Sequence, residues 1–366
     1  MKKYFKKYYK ESICLLIIIS ISLLNIKKGY LLNKNYDNYF FKQIIWIISS
    51  IIIYVFIYKI NFRKILKFKY ILFLINILLL IYVLLFSKSI NNVKAWINIK
   101  GFSFQPSELI KITYPLVTIK LINNKKYLLS TILFLIPFTL ILLEPDTGNA
   151  ILFLFIFIYL LTNKKNKQII YYILFVGILS LLIMMLLFKN NPKILLSIFD
   201  GKLYYRFKRI IDYKNNYQIN NALIGIGNAK LLPIPINKLL IYIPEGLTDF
   251  MFAFNICNLG ILISIILIFI YYIFTTQIYK RYVSCKNKYR KKLIGSFLII
   301  FILQETYNVL MNIGLLPIMG IPLPFFSYGG SNIVSYFIFY ALITKKISSS
   351  EDKDNNNYKN NFHKDL

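Results

Sequence analysis

Histidine is almost missing from this chain: His363, in a polar C-terminal stretch, is the only one in 366 residues. A histidine-ligated zinc site and a Ser–His–Asp triad are thereby excluded, so acid–base chemistry has to run on carboxylates, lysine or tyrosine. Cysteine is scarce too. Cys14 and Cys257 lie in apolar runs and Cys285 in a basic loop, which indicates neither a disulfide framework nor a metal cluster. Acid is the scarce charge, with 14 Asp and Glu against 45 Lys and Arg and a net charge of +31. A glycine-rich phosphate loop is lacking as well: Gly225-Ile-Gly227 follows no βαβ unit, which leaves ATP or sugar-nucleotide use unsupported. The sequence shows no internal repeat, which argues against an inverted-repeat transporter.

What is abundant is hydrocarbon. Hydrophobic residues make up 57% of the chain, and a mean hydropathy of +0.58 fits a multi-pass membrane protein rather than a soluble domain. Apolar runs fall at 12–26, 41–58, 69–87, 106–122, 127–143, 148–162, 169–188, 248–274, 293–313 and 328–344, about ten spans. Tyr58, Tyr70, Trp96 and Tyr127 mark run ends, as interfacial belts do. The start, Met1-Lys-Lys-Tyr-Phe-Lys-Lys7 and then Ile13 to Leu24, imitates a secretory signal. It lacks a small-residue cleavage site and reads as an uncleaved first helix. The basic residues are scattered through short loops, which disfavours nucleic acid and suits anionic lipid headgroups.

The charges orient the spans. With the N-terminus in the cytoplasm, the inner loops carry Lys59, Arg63, Lys64, Lys67 and Lys69, then Lys120, Lys125 and Lys126, then Lys164, Lys165 and Lys167. The last, from Lys280 to Lys292, is also basic, whereas the outer loops 144–147 and 314–327 hold no Lys or Arg and those at 27–42 and 88–105 hold some. This asymmetry puts both termini in the cytoplasm. One long segment, 189–247, lies outside the cell, and 346–366 reads as a disordered cytoplasmic tail after a membrane domain of residues 1–345.

Four polar motifs then fall on the outer side. Phe104-Gln-Pro-Ser-Glu-Leu-Ile-Lys111 places Pro106 in a first helical turn and Glu108 at its positive end. Glu108 alone reads as a capping acid. Lys111, three residues deeper on the same face, makes the pair a candidate cavity lining. In Glu144-Pro-Asp146-Thr-Gly148, Asp146 is either an N-cap or a functional acid kept beside hydrocarbon. Pro244-Glu245-Gly-Leu-Thr-Asp249-Phe250 leads from the long loop into a span. Gly320-Ile-Pro-Leu-Pro-Phe-Phe-Ser327-Tyr-Gly329-Gly330-Ser331 cannot be continuous helix, and such backbone at membrane depth is either buried in protein or lines a wet cavity.

In order and spacing these four stretches resemble the signatures of the SEDS family (shape, elongation, division and sporulation), which includes RodA, FtsW and SpoVE. The likeness runs from the first span to about residue 344. It implies an all-α, polytopic fold of ten transmembrane helices in the bacterial cytoplasmic membrane. It also implies a peptidoglycan glycosyltransferase that polymerises lipid II at the outer face, releases undecaprenyl pyrophosphate and works with a class B penicillin-binding protein. Asp146 is then the catalytic residue. Glu108, Lys111, Glu144, Arg206, Glu245, Asp249, Ser327, Gly329 and Gly330 are candidate substrate contacts. The chain departs from the family pattern at Ala95 (often basic), Asn228 (Gly-rich), Leu247 (often His) and Cys257-Asn258 (often Glu-Glu).

The implied reaction is glycosyl transfer between two lipid-linked sugars, with Asp146 taking the proton of the attacking hydroxyl. Lys111 and Arg206 would stabilise the leaving pyrophosphate. No cofactor is evident; a divalent cation, Mg or Mn, could share that task, although no carboxylate cluster demands one. A lipid-linked precursor flippase and a non-catalytic scaffold for the penicillin-binding protein are the two other readings of a polar cavity between helices.

Overall fold

The computed structural model describes residues 2–32, 38–88, 94–99, 102–162, 216–235 and 242–345. The 169–188 run, Arg206, most of the 189–247 segment and the 346–366 tail lie outside them. Among the described residues there are ten helices and one two-stranded hairpin. Five helices are long and apolar enough to cross a membrane, and the helices at 127–143, 147–161 and 330–344 are apolar but shorter. The protein is a multi-pass membrane protein. Its chain divides into two compact units, one of Met1–Phe40, Leu154–Phe274 and Phe301–Gly329, the other of Phe41–Phe153, Thr275–Ile300 and Gly330–Leu366.

The second unit is built around α4. Helices α2 (Tyr39–Lys59) and α3 (Phe62–Phe86) precede it, and α3 starts where the Asn61 side chain accepts the Arg63 N–H at 2.9 Å. A hairpin of β1 (Ile97–Ile99) and β2 (Phe102–Phe104) then pairs Ile97 with Phe104 and Asn98 with Ser103. Pro106 opens α4 (Pro106–Asn123), where a missing N–H costs nothing. Every α4 residue from Pro106 to Ile119 except Leu109 is buried. This explains how a helix bearing Glu108 and Lys111 can sit among spanning helices: its polar side chains face protein. Helices α5 (Tyr127–Leu143) and α6 (Thr147–Leu161) pack on it through aromatic rings. Tyr114 meets Phe153 at 4.9 Å, and Phe134 meets Phe153 at 5.0 Å.

The first unit holds α1 (Lys2–Leu32), α7 (Tyr217–Gly227) and most of α8 (Met251–Ser284). Helix α7 lies within the stretch that the sequence presents as a loop; Asn216 caps it by accepting the Gln218 N–H at 2.9 Å. Helix α8 is broken at Gly260 (φ 88°, ψ 164°). Residues 230–234 mend the break. Ile261 and Leu262 donate their N–H groups to the carbonyls of Lys230 (3.1 Å) and Leu231 (3.2 Å), and the Asn258 carbonyl accepts from Ile234 at 3.2 Å. The buried Lys28 ammonium of α1 adds bonds to the carbonyls of Ile234 (3.2 Å) and Asn258 (3.3 Å). The two remaining helices are α9 (Lys288–Asn312) and α10 (Gly330–Thr344).

Candidate functional site

Asp146 sits in the turn between α5 and α6, and its two oxygens do different work. Oδ1 accepts the Asn149 backbone N–H at 3.1 Å, the N-cap expected of an acid at this spot. Oδ2 accepts three side-chain donors: Gln105 Nε2 at 2.7 Å, Asn149 Nδ2 at 2.8 Å and Ser107 Oγ at 3.0 Å. Capping and a convergent polar site are therefore both present. The residue is 8% exposed. Burial raises its pKa above the ordinary value; the bonds from Asn149 and Ser107 pull the other way, and the nearby Glu108 adds to the rise.

A second layer of polar groups stands behind it on α4. Lys111 Nζ lies 2.8 Å from Glu108 Oε2, the i,i+3 pair expected from spacing, and donates to Asn149 Oδ1 at 2.9 Å. Ser335 on α10 donates to Glu108 Oε2 at 3.2 Å. A small pocket beside this pair is lined by Ile112, Ile300, Tyr336 and Phe339. Beside Asp146, Glu144 is fully buried and neither of its carboxyl oxygens has a hydrogen-bond partner. Burial, and then the Asp146 charge, push its pKa up to about 9, so Glu144 is a neutral acid at physiological pH.

The other two motifs meet in the first unit. Glu245 adopts a left-handed backbone (φ 53°), sparsely populated for a residue with a side chain. Its carboxylate accepts the Thr248 hydroxyl at 2.7 Å. The Tyr328 N–H donates to the Leu247 carbonyl at 2.8 Å, so the third and fourth motifs are joined through backbone. The Asp249 carbonyl accepts from the side-chain amides of Asn308 (2.8 Å) and Asn312 (3.0 Å), while its own side chain is half-buried. Ser327 is fully buried and its hydroxyl accepts the Leu323 N–H at 2.9 Å, holding the loop closed.

The profile of the FtsW/RodA/SpoVE cell cycle proteins matches residues 8–352. The chain belongs to that family. Similar proteins include one from Wigglesworthia glossinidia brevipalpis named probable peptidoglycan glycosyltransferase FtsW. It is 29% identical over 94% of this chain and 95% of its own length. A protein of the same name from Acinetobacter baylyi is 27% identical over 96% of this chain and 90% of its own. In fold, the chain matches a protein solved in a peptidoglycan synthase complex that coordinates polymerization and crosslinking. The TM-score is 0.75 at 20% identity, over 92% of this chain and 96% of that one. Rod shape determining protein RodA of Thermus thermophilus matches with a TM-score of 0.65 at 20% identity, over 91% of this chain and 94% of its own.

Within the second unit, the structure gathers Glu108, Lys111, Glu144 and Asp146. Gly330 is also there, but packing explains its glycine: a Cβ would overlap the Trp46 indole. Glu245, Asp249, Ser327 and the half-buried Gly329 belong to the first unit. Gln105, Ser107 and Asn149 hold Asp146 and are not among the site residues expected from sequence, where Ser107 reads only as suited to the positive end of its helix. Asn149 lies three residues after Asp146, the spacing of a capping pair, and that signal could have found it. The departures from the family pattern have local structural roles. Ala95 is fully buried. Asn228 ends α7. Cys257 fills the space that Gly225 leaves open. Leu247 is fully buried against Gly29, where a Cβ would come within 2.8 Å of its Cδ1.

Proposed function

We propose that the protein is a peptidoglycan glycosyltransferase that extends glycan strands from lipid II, with Asp146 as the base that takes the proton of the attacking sugar hydroxyl. The observation carrying this is the Asp146 carboxylate in its cage of four hydrogen bonds, in a chain whose full-length relatives bear that activity in their names. The buried acid is a stronger base than an exposed one. Lys111 is engaged by Glu108 and Asn149, so its charge acts on Asp146 through the Asn149 amide. Arg206 would meet the leaving pyrophosphate. The groups around Asp146 Oδ2 are N–H and O–H donors, the wrong set for a resident metal, so a divalent cation would arrive on the pyrophosphate. The basic loops support a topology with both termini in the cytoplasm and the Asp146 turn at the outer face. A class B penicillin-binding protein is the proposed partner, and anionic lipids the proposed surroundings.

A second reading moves the base to Asp249. The favouring observation is exposure: Asp249 is half-buried, whereas the Asp146 lone pairs are occupied and its residue is 8% exposed. Purified protein with fluorescent lipid II separates the two. Asp146→Asn should abolish polymer in protein that still folds, with a lower melting temperature because its amide N–H₂ replaces one acceptor oxygen among these donors. Parent-rate polymerisation by Asp146→Asn, together with loss in Asp249→Asn, would transfer the role. Lipid movement without polymer in the parent would make the protein a flippase.

A further inference from the structure

Tyr39, at the first turn of α2, and Tyr328, in the fourth motif, stack with ring centroids 4.1 Å apart and planes 14° from parallel. Both are half-buried, and both belong to the first unit. The buried aromatic core of that unit lies elsewhere, where Phe274, Phe301 and Phe325 pack at 5.0 to 6.2 Å. An interfacial tyrosine of the ordinary kind needs no partner ring and no acid beside it. This pair has both. The Tyr328 N–H is bonded to Leu247, two residues from Glu245 and two from Asp249. Glu245 is exposed, Thr248 and Asp249 are half-buried, and Thr248 bonds Glu245 at 2.7 Å. Gly320, which adopts a left-handed backbone (φ 63°), lies beside Asp249, and a Cβ there would be in ordinary contact with Asp249 Oδ2 at 3.7 Å.

This is the chemistry that recognises a pyranose. The electron-rich face of an aromatic ring attracts the weakly positive C–H face of a sugar, and a tyrosine supplies that area rigidly. Ionised carboxylates accept hydrogen bonds from ring hydroxyls. Stacking fixes the plane of both rings before a ligand arrives, which lowers the ordering cost of binding. We propose that the Tyr39–Tyr328 stack is the platform on which a sugar ring of the lipid-linked substrate or growing strand rests, with Glu245 and Asp249 receiving its hydroxyls. The proposal depends on the glycosyltransferase reading only for the identity of that sugar.

The test measures dissociation constants in nanodiscs for lipid II and for undecaprenyl pyrophosphate, which carries the same lipid without the sugars. Tyr39→Leu and Tyr328→Leu should each weaken lipid II about tenfold and leave undecaprenyl pyrophosphate unchanged. Tyr39→Phe, which keeps the ring, should bind lipid II as the parent does. Glu245→Gln, on an exposed side chain and therefore safe for folding, should weaken lipid II about fivefold. Parent-like lipid II binding in the leucine and Glu245→Gln variants overturns the platform. So does an equal loss for both lipids, or a parent that binds both equally. A protein that makes no polymer yet loses lipid II through these rings sinks the enzyme reading and leaves the platform standing.

Discussion

The Lys111 ammonium and the Asp146 carboxylate bind opposite ends of one amide, that of Asn149. Lys111 Nζ donates to Asn149 Oδ1 at 2.9 Å, and Asn149 Nδ2 donates to Asp146 Oδ2 at 2.8 Å. The lysine thus polarises the amide that steadies the acid, and Glu108 neutralises the lysine from behind.

Asn149 is therefore a positioning residue. Asn149→Asp sets a second carboxylate beside Asp146 and raises its pKa further, so the acid limb of the polymerisation rate should move to higher pH. Asn149→Ala removes one bond from each charge, leaving Lys111 paired with Glu108 and Asp146 held by Gln105 and Ser107, and should cost about 1.5–3 kcal/mol for each charged bond lost. A pH–rate profile and melting curves read the two effects. An acid limb that stays put in Asn149→Asp would show that Asp146 is not the titrating base.

Glu144 makes stability fall with pH. Its folded pKa is raised from 4.5 to about 9, so across that window the folded chain holds a proton that the unfolded chain has released. Stability is full below the lower value and declines as pH rises toward the upper one. Glu144→Gln keeps the shape without the titration. Its melting temperature should match the parent's near pH 5 and exceed it near pH 9. Parallel curves for the two proteins would refute the neutral-acid assignment.

Gly330→Ala should be costly for steric reasons alone. The added methyl meets the Trp46 indole, which packs edge-on against Phe102 at 5.4 Å. Overpacking of this kind costs about 1–3 kcal/mol. Trp46→Leu introduced alongside should restore part of the lost melting temperature. If no rescue occurs, the glycine is kept for another reason.

Gly260→Ala tests the mended break in α8. The residue's φ of 88° and the Leu231 carbonyl 2.7 Å from a would-be Cβ both reject a side chain. Faster proteolysis at 229–235 and a lower melting temperature are expected. An unchanged digestion pattern would mean the break is not anchored there.

The spans and the Glu108–Lys111 pair were legible because period and spacing are local: Pro106 opens a helix and i,i+3 residues share its face. The donors on Asp146 were harder to see because Gln105, Ser107 and Asn149 are neutral, and two of them approach from about forty residues away. The break at Gly260 was invisible for a related reason. One glycine in an apolar run looks uninterrupted until residues 230–234 arrive to fill the vacated bonds. The 97–104 hairpin is too short for alternation to announce it.

The tie between Tyr328 and position 247 runs through main chain, so the side chain there can drift without loosening it. What it cannot do is grow independently of Gly29, whose bare α-carbon makes room for the leucine. Across related sequences, bulk at 29 and bulk at 247 should trade against each other, and a lineage that enlarged both would need to have moved its first helix.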